Sequence, residues 1–209
     1  MKFTLTYEGE LVANGRPLKK WEIRKQLHPQ LQELWRVNPS IKQAERNRMV
    51  PAESSFFLMD THHSSDATPQ APRNIGNSID LCAPIESGGK IFLPLVRETF
   101  ALTCALKILF LRKEVPGRLV YQGGDIDNRL KTLFDALAVP LPEQVMDDPT
   151  IDQPIYCLLE NDERITGFDV QTHRLLSQPD VSEHYVKLII EVDVRVTQAR
   201  IYNQYFLGD

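Results

Sequence analysis

The sequence has no apolar run that could cross a bilayer, which takes ~20 residues. Its longest candidate, Phe100 to Leu111, is broken by Thr103 and Lys107. The first ten residues, MKFTLTYEGE, contain no apolar segment of the kind a secretory signal needs, so a cytoplasmic protein with no membrane association is expected. Cysteine is scarce: Cys82, Cys104 and Cys157 are widely spaced, form no CxxC and cannot all pair, which fits reduced thiols in the cytoplasm. No His or basic residue stands beside any of the three, so a cysteine nucleophile is not expected. There is no internal repeat and no GxxxxGK[ST] phosphate loop. Collagen-like, coiled-coil, membrane and disulfide-scaffold classes are excluded.

What is present is an ordinary globular composition: 209 residues, 42% hydrophobic and 25% charged. That length fits one domain with a large insertion. The net charge of −4 hides an asymmetry. Residues 1–50 carry ten Lys and Arg against five Glu, a net of +5, whereas residues 125–169 carry eleven acids against three bases, a net of −8. A basic arm beside an acidic centre suits an enzyme that grips a polyanion and holds a divalent metal. It equally describes two solvated surfaces of opposite sign.

Periodicity supplies the elements. Phe3, Leu5 and Tyr7 alternate with polar residues, as in a half-buried strand. Asn14-Gly15-Arg16-Pro17 reads as a turn, and Trp21 to Trp35 as an amphipathic helix that Pro29 should kink or split. Both tryptophans are expected in a core or an interface. Residues 37–89 are irregular and rich in proline, with Phe56 to Met59 as a short strand and most of 60–80 as an exposed insertion. Strands are expected at Ile91 to Val96, Thr99 to Arg112, Ile155 to Leu159, Ile165 to Leu176 and His184 to Val196, with a helix over Ile126 to Ala138. Strands outnumber helices, so the fold class is α+β: a mixed or antiparallel sheet with a few helices packed on it.

The chemistry is concentrated in Gly123-Gly124-Asp125-Ile126-Asp127-Asn128-Arg129-Leu130-Lys131-Thr132-Leu133-Phe134-Asp135-Ala136-Leu137. At about 100° per residue, Asp127, Lys131 and Asp135 fall near 0°, 40° and 80°, beside the apolar arc of Ile126, Leu130, Leu133, Phe134 and Leu137. They are therefore expected at the edge of the core, partly sheltered. Paired carboxylates are hard ligands suited to Mg²⁺. A lysine one turn away can neutralise charge on a phosphoryl oxygen. The same residues also make an ordinary helix N-cap and an ordinary i,i+4 ion pair, and spacing does not choose between these readings.

The run GGDIDNRLKTLFDAL resembles the D-x-D-N-x-x-K signature of the RusA family of Holliday junction resolvases, followed by D-A-L one turn later. The matching positions are Asp125, Asp127, Asn128, Lys131, Asp135, Ala136 and Leu137. The resemblance implies a RusA-like α+β domain over 1–209, interrupted by the insertion at about 37–89. It implies a Mg²⁺ site made by Asp125, Asp127 and a third aspartate before a following strand, and a lysine, Lys131, that is essential for cleavage. Asn161-Asp162-Glu163-Arg164-Ile165 is the best match to the third site, which makes Asp162 the ligand. It further implies a homodimer cutting branched DNA in recombination and repair. Three features depart from the family pattern: Asn161 stands where a first aspartate is usual, with Glu160 beside it as a substitute; Gly123 and Gly124 replace arginines; and the connection from Leu137 to Asp162 is long. Together with the pI of 5.8, Asn161 and the insertion favour the alternative of a non-catalytic DNA- or partner-binding protein on the same fold.

Lys19, Lys20, Arg24 and Lys25, at a turn and helix start, are candidates for phosphate contacts. His62 and His63 with Asp60 and Asp66 are a weaker metal candidate, because ligands need a rigid frame. His173 and His184 are expected to be structural or at the surface.

Overall fold

The computed structural model describes residues 1–51, 74–75, 78–113, 125–176, 182 and 184–207. Its centre is a four-stranded sheet built from β1 (Lys2–Glu10), β7 (Leu102–Arg112), β9 (Ile165–Arg174) and β10 (Tyr185–Val196), in the order β1-β10-β7-β9. The sequence alternates most cleanly in β10, where Val186, Leu188, Ile190, Val192 and Val194 are all buried. That strand accordingly lies in the interior of the sheet, antiparallel to β1 on one side and to β7 on the other. The edge strand β9 runs parallel to β7. A second sheet has the order β5-β6-β8, from β5 (Ile85–Ser87), β6 (Lys90–Val96) and β8 (Ile155–Leu159), with β6 and β8 parallel. The class is α+β with mixed sheets.

Two helices matter for the site: α1 (Pro17–Val37) and α3 (Asp125–Leu137), with the short α2 (Pro39–Arg46) between them in sequence. Leu27 and Leu31 of α1 and Leu130, Leu133 and Leu137 of α3 share one buried cluster with Leu5, Leu106, Ile108 and the inward residues of β10. Each such leucine contributes about 1.5–3 kcal/mol by leaving water. A smaller cluster of Trp21, Ile85, Phe92, Val139, Ile151, Ile155 and Cys157 ties the loop after α3 to α1 and the second sheet.

Several expectations need revision. Pro29 does not split α1, which runs unbroken to Val37. Proline removes one N–H, and burial of Ile23, Leu27, Leu31 and Trp35 on both sides of it outweighs that loss. The flanks of the 37–89 region are regular and belong to the main core. Besides α2 they form β2 (Met49–Pro51), β3 (Asn74–Ile75) and β4 (Ser78–Asp80), and they bury Ile41, Ala44, Leu81 and Cys82. Phe56 to Met59, His62, His63 and most of 60–80 lie outside the described residues. The strand expected from Thr99 begins only at Leu102, after a 3-10 turn at Glu98–Phe100. The cysteines are free and buried, as are Trp21 and Trp35 in the core. Among the described residues no helix is long and apolar enough to cross a membrane.

Candidate functional site

Helix α3 forms where its apolar arc meets the sheet: Leu130, Leu133, Ala136 and Leu137 are buried, and Phe134 packs edge-on against Phe168 of β9 with ring centroids 5.3 Å apart. Its placement is fixed by polar contacts from the N-terminal chain. Arg129 Nη1 donates to Leu11 O at 2.8 Å. Gly15 N donates to Thr132 Oγ1 at 2.8 Å. Lys20 Nζ meets Asp135 Oδ2 at 2.6 Å. Arg24 Nη2 donates to Asp135 O at 2.9 Å and to Ala138 O at 3.0 Å, satisfying carbonyls at the C-terminal end of α3. Residues 11–24 therefore run alongside 129–138 in the same direction.

Of the motif residues, Asp127 and Lys131 are exposed, not sheltered, and neither makes an ion pair among the described residues. The i,i+4 pairs Asp127–Lys131 and Lys131–Asp135 do not form. Asp135 alone is partly sheltered, and Lys20 takes its charge. Asp125 is the first residue of α3, and its side chain lies outside the described set. Asp162 is exposed at the start of a 3-10 turn, Asp162–Arg164, which packs against α3. The fold thus brings the Asp162 turn to the helix that carries Asp127 and Lys131. Among the described residues no group of three or more His, Cys, Asp or Glu converges on one point. Glu160, the candidate substitute ligand beside Asn161, accepts from Glu98 N at 2.7 Å through its carboxylate.

The four basic candidates are all held within the molecule. Lys19 bridges Glu10 at 3.1 Å and Glu22 at 3.0 Å. Lys20 is committed to Asp135. Lys25 contacts Asp148 at 3.0 Å and the Thr150 hydroxyl at 2.5 Å. Arg24 is only 2% exposed, lies over the Trp21 ring, and burial lowers its pKa. A buried guanidinium cannot meet a phosphate while the helices stay packed.

A second polar group, which no local sequence pattern announces, lies near the carboxyl ends of the parallel strands β6 and β8. Arg97, 2% exposed, donates from Nη2 to Ala83 O at 2.6 Å, while its Nε and Nη1 have no partner among the described residues. Asn161 Oδ1 and Arg164 Nε are likewise buried with no partner among the described residues, and Arg164 lies 3.7 Å from Glu98. Burial of Arg97 depends on the packing of chain segments far apart in sequence, so no local pattern announces it. His173 and His184 are exposed, and His184 Nδ1 lies 3.3 Å from Arg129 Nη2. Protein-family models, curated proteins and solved structures were compared with the chain, and none matches.

Proposed function

We propose that the chain is a Mg²⁺-dependent, structure-specific endonuclease that cleaves phosphodiester bonds in branched DNA, a RusA-like enzyme working as a homodimer. One observation carries the reading: Asp127 and Lys131 of the D-x-D-N-x-x-K string are exposed, with no ion pair among the described residues, on a helix against which the Asp162 turn packs. Caps and structural ion pairs would have consumed these charges; here they are left available. Asp127 and Asp162, joined by Asp125, are hard oxygen donors of the kind Mg²⁺ takes. When bound, the ion would supply an activated water and stabilise charge on the phosphoryl oxygens. Lys131 supplies a compact cation to the same oxygens as their charge grows. A two-fold dimer matches the paired strands of a four-way junction.

A non-catalytic DNA- or partner-binding role is the second reading. Asn161 in place of an aspartate and the engagement of Glu160 by Glu98 favour it. The test is incubation of labelled four-way junction, flap and linear duplex DNA with and without Mg²⁺, for the native chain and Asp127→Asn. Cleavage of branched DNA only with Mg²⁺, abolished by the substitution while binding persists or strengthens, is the expected result. Binding without cleavage by the native chain would select the second reading.

A further inference from the structure

We propose that Arg16 is a phosphate-gripping residue beside α3, a role that the more conspicuous cations Lys19, Lys20, Arg24 and Lys25 are not free to take. The proposal rests on the nucleic-acid reading above and names a contact within it. Those four cations are committed to Glu10, Glu22, Asp135, Asp148 and the α3 carbonyls. Arg16 is exposed, and among the described residues its guanidinium makes no ion pair or hydrogen bond. It occupies the N-cap position of α1 in an extended conformation, with no side-chain cap, so its side chain has no structural task there.

Its location follows from the residue before it. Gly15 is buried against α3; a Cβ there would fall 2.5 Å from Thr132 Cγ2, so only glycine allows this approach. The Gly15 N–H closes the contact on Thr132 Oγ1. Consecutive Cα atoms are ~3.8 Å apart, so Arg16 and Lys131 each lie one residue from that contact point. The parallel run of the two segments, Leu11 at Arg129 through Arg24 at Ala138, keeps Arg16 beside the Lys131 stretch of the helix. Two exposed cations that make no ion pair among the described residues thus each lie one residue along the chain from the Gly15–Thr132 contact, and one of them is the motif lysine. A guanidinium binds phosphate through a planar fork of donors, which suits it to hold a backbone phosphate while Lys131 meets another oxygen.

The test is fluorescence anisotropy with labelled four-way junction and linear duplex across a salt series, in EDTA so that metal-dependent cleavage does not consume the probe. Arg16→Ala and Arg16→Gln should each weaken binding about tenfold at low salt. Each should also flatten the slope of log affinity against log salt by about 0.9 on duplex. Arg16→Lys should restore the slope, and melting temperatures should be unchanged. Lys42→Ala, on the exposed face of α2, should leave the slope as it was. An unchanged slope for both neutral Arg16 variants, or an equal fall for Lys42→Ala, overturns the proposal while junction cleavage by the native chain still upholds the nuclease reading. A native chain that binds with the Arg16-dependent slope but never cleaves upholds the Arg16 contact and overturns the nuclease. Absence of any DNA binding overturns both.

Discussion

At the scale of single residues, Lys131 separates catalysis from stability. Its position between Asp127 and Asp135 offered two i,i+4 partners, each worth only about 0.3–0.5 kcal/mol on a helix surface. The fold uses neither, because Lys20 reaches Asp135 from α1 and Asp127 stays in solvent. Removing the Lys131 ammonium therefore costs the folded state almost nothing. Lys131→Ala should leave the melting temperature in place and slow single-turnover junction cleavage at least ~100-fold, about 2.7 kcal/mol. Lys131→Arg should rescue poorly, since a planar fork does not replace a compact ammonium. A large drop in melting temperature with near-normal cleavage would make Lys131 a structural residue instead. Arg24 shows the opposite limit of sequence reading. It sits in a run of surface-looking bases, yet it is buried, because α1 turns that side toward the C-terminal end of α3. Helical spacing locates the stripe; only the partner helix decides which long side chain lies beneath it.

At the scale of elements, local pattern was most informative where one face is dry. The period-2 alternation of β10 and the apolar arc of α3 are legible in the sequence, and the observed bounds differ from the expected ones by a residue at most at either end. Continuity of α1 through Pro29 could not be read, because it depends on packing on both flanks. In the proline-containing connection after α3, Asp148 ties residues 148–150 to α1. Its carboxylate accepts from the Thr150 hydroxyl at 2.6 Å and amide at 2.9 Å, from Lys25 at 3.0 Å and from Trp21 Nε1 at 3.3 Å. These donors, Thr150 first, hold the Asp148 carboxyl well below the usual carboxylate range. A depressed native pKa gives stability that is present above the unfolded value of ~3.9 and is lost as pH falls toward the native one. Asp148→Asn should therefore melt lower than the native chain at pH 7, and the gap should narrow below about pH 4. Thermal unfolding of both proteins at pH 7 and pH 3 measures it. A gap of the same size at both would show that the charge on Asp148 does not hold the loop.

At the scale of the whole molecule, the two blocks of opposite charge do not stand apart as a DNA-gripping arm and a metal-holding centre. They meet. Lys20 of the basic segment pairs with Asp135 of the acidic one, and Lys25 with Asp148, so part of the asymmetry is spent on docking α1 against α3 and its following loop. The totals of +5 and −8 were legible in the sequence; the cancellation was not, since it joins residues more than a hundred positions apart. Among the described residues Asp127, Asp162, Lys131 and Arg16, the charges that the functional reading uses, are exposed and take no part in this pairing. The pairing itself can be measured. The Lys20 and Asp135 side chains are 15% and 25% exposed, more sheltered than a typical surface pair. A double-mutant cycle of Lys20→Ala, Asp135→Ala and the double variant, followed by denaturant unfolding, should give a coupling of about 1 kcal/mol, at the upper end for exposed pairs. Raising salt should reduce that coupling only modestly, because the pair is partly withdrawn from solvent. A coupling near zero would mean that the two blocks are merely adjacent. Lys20 would then be available to phosphate, and the contact assigned to Arg16 would have a competitor four residues along the same helix.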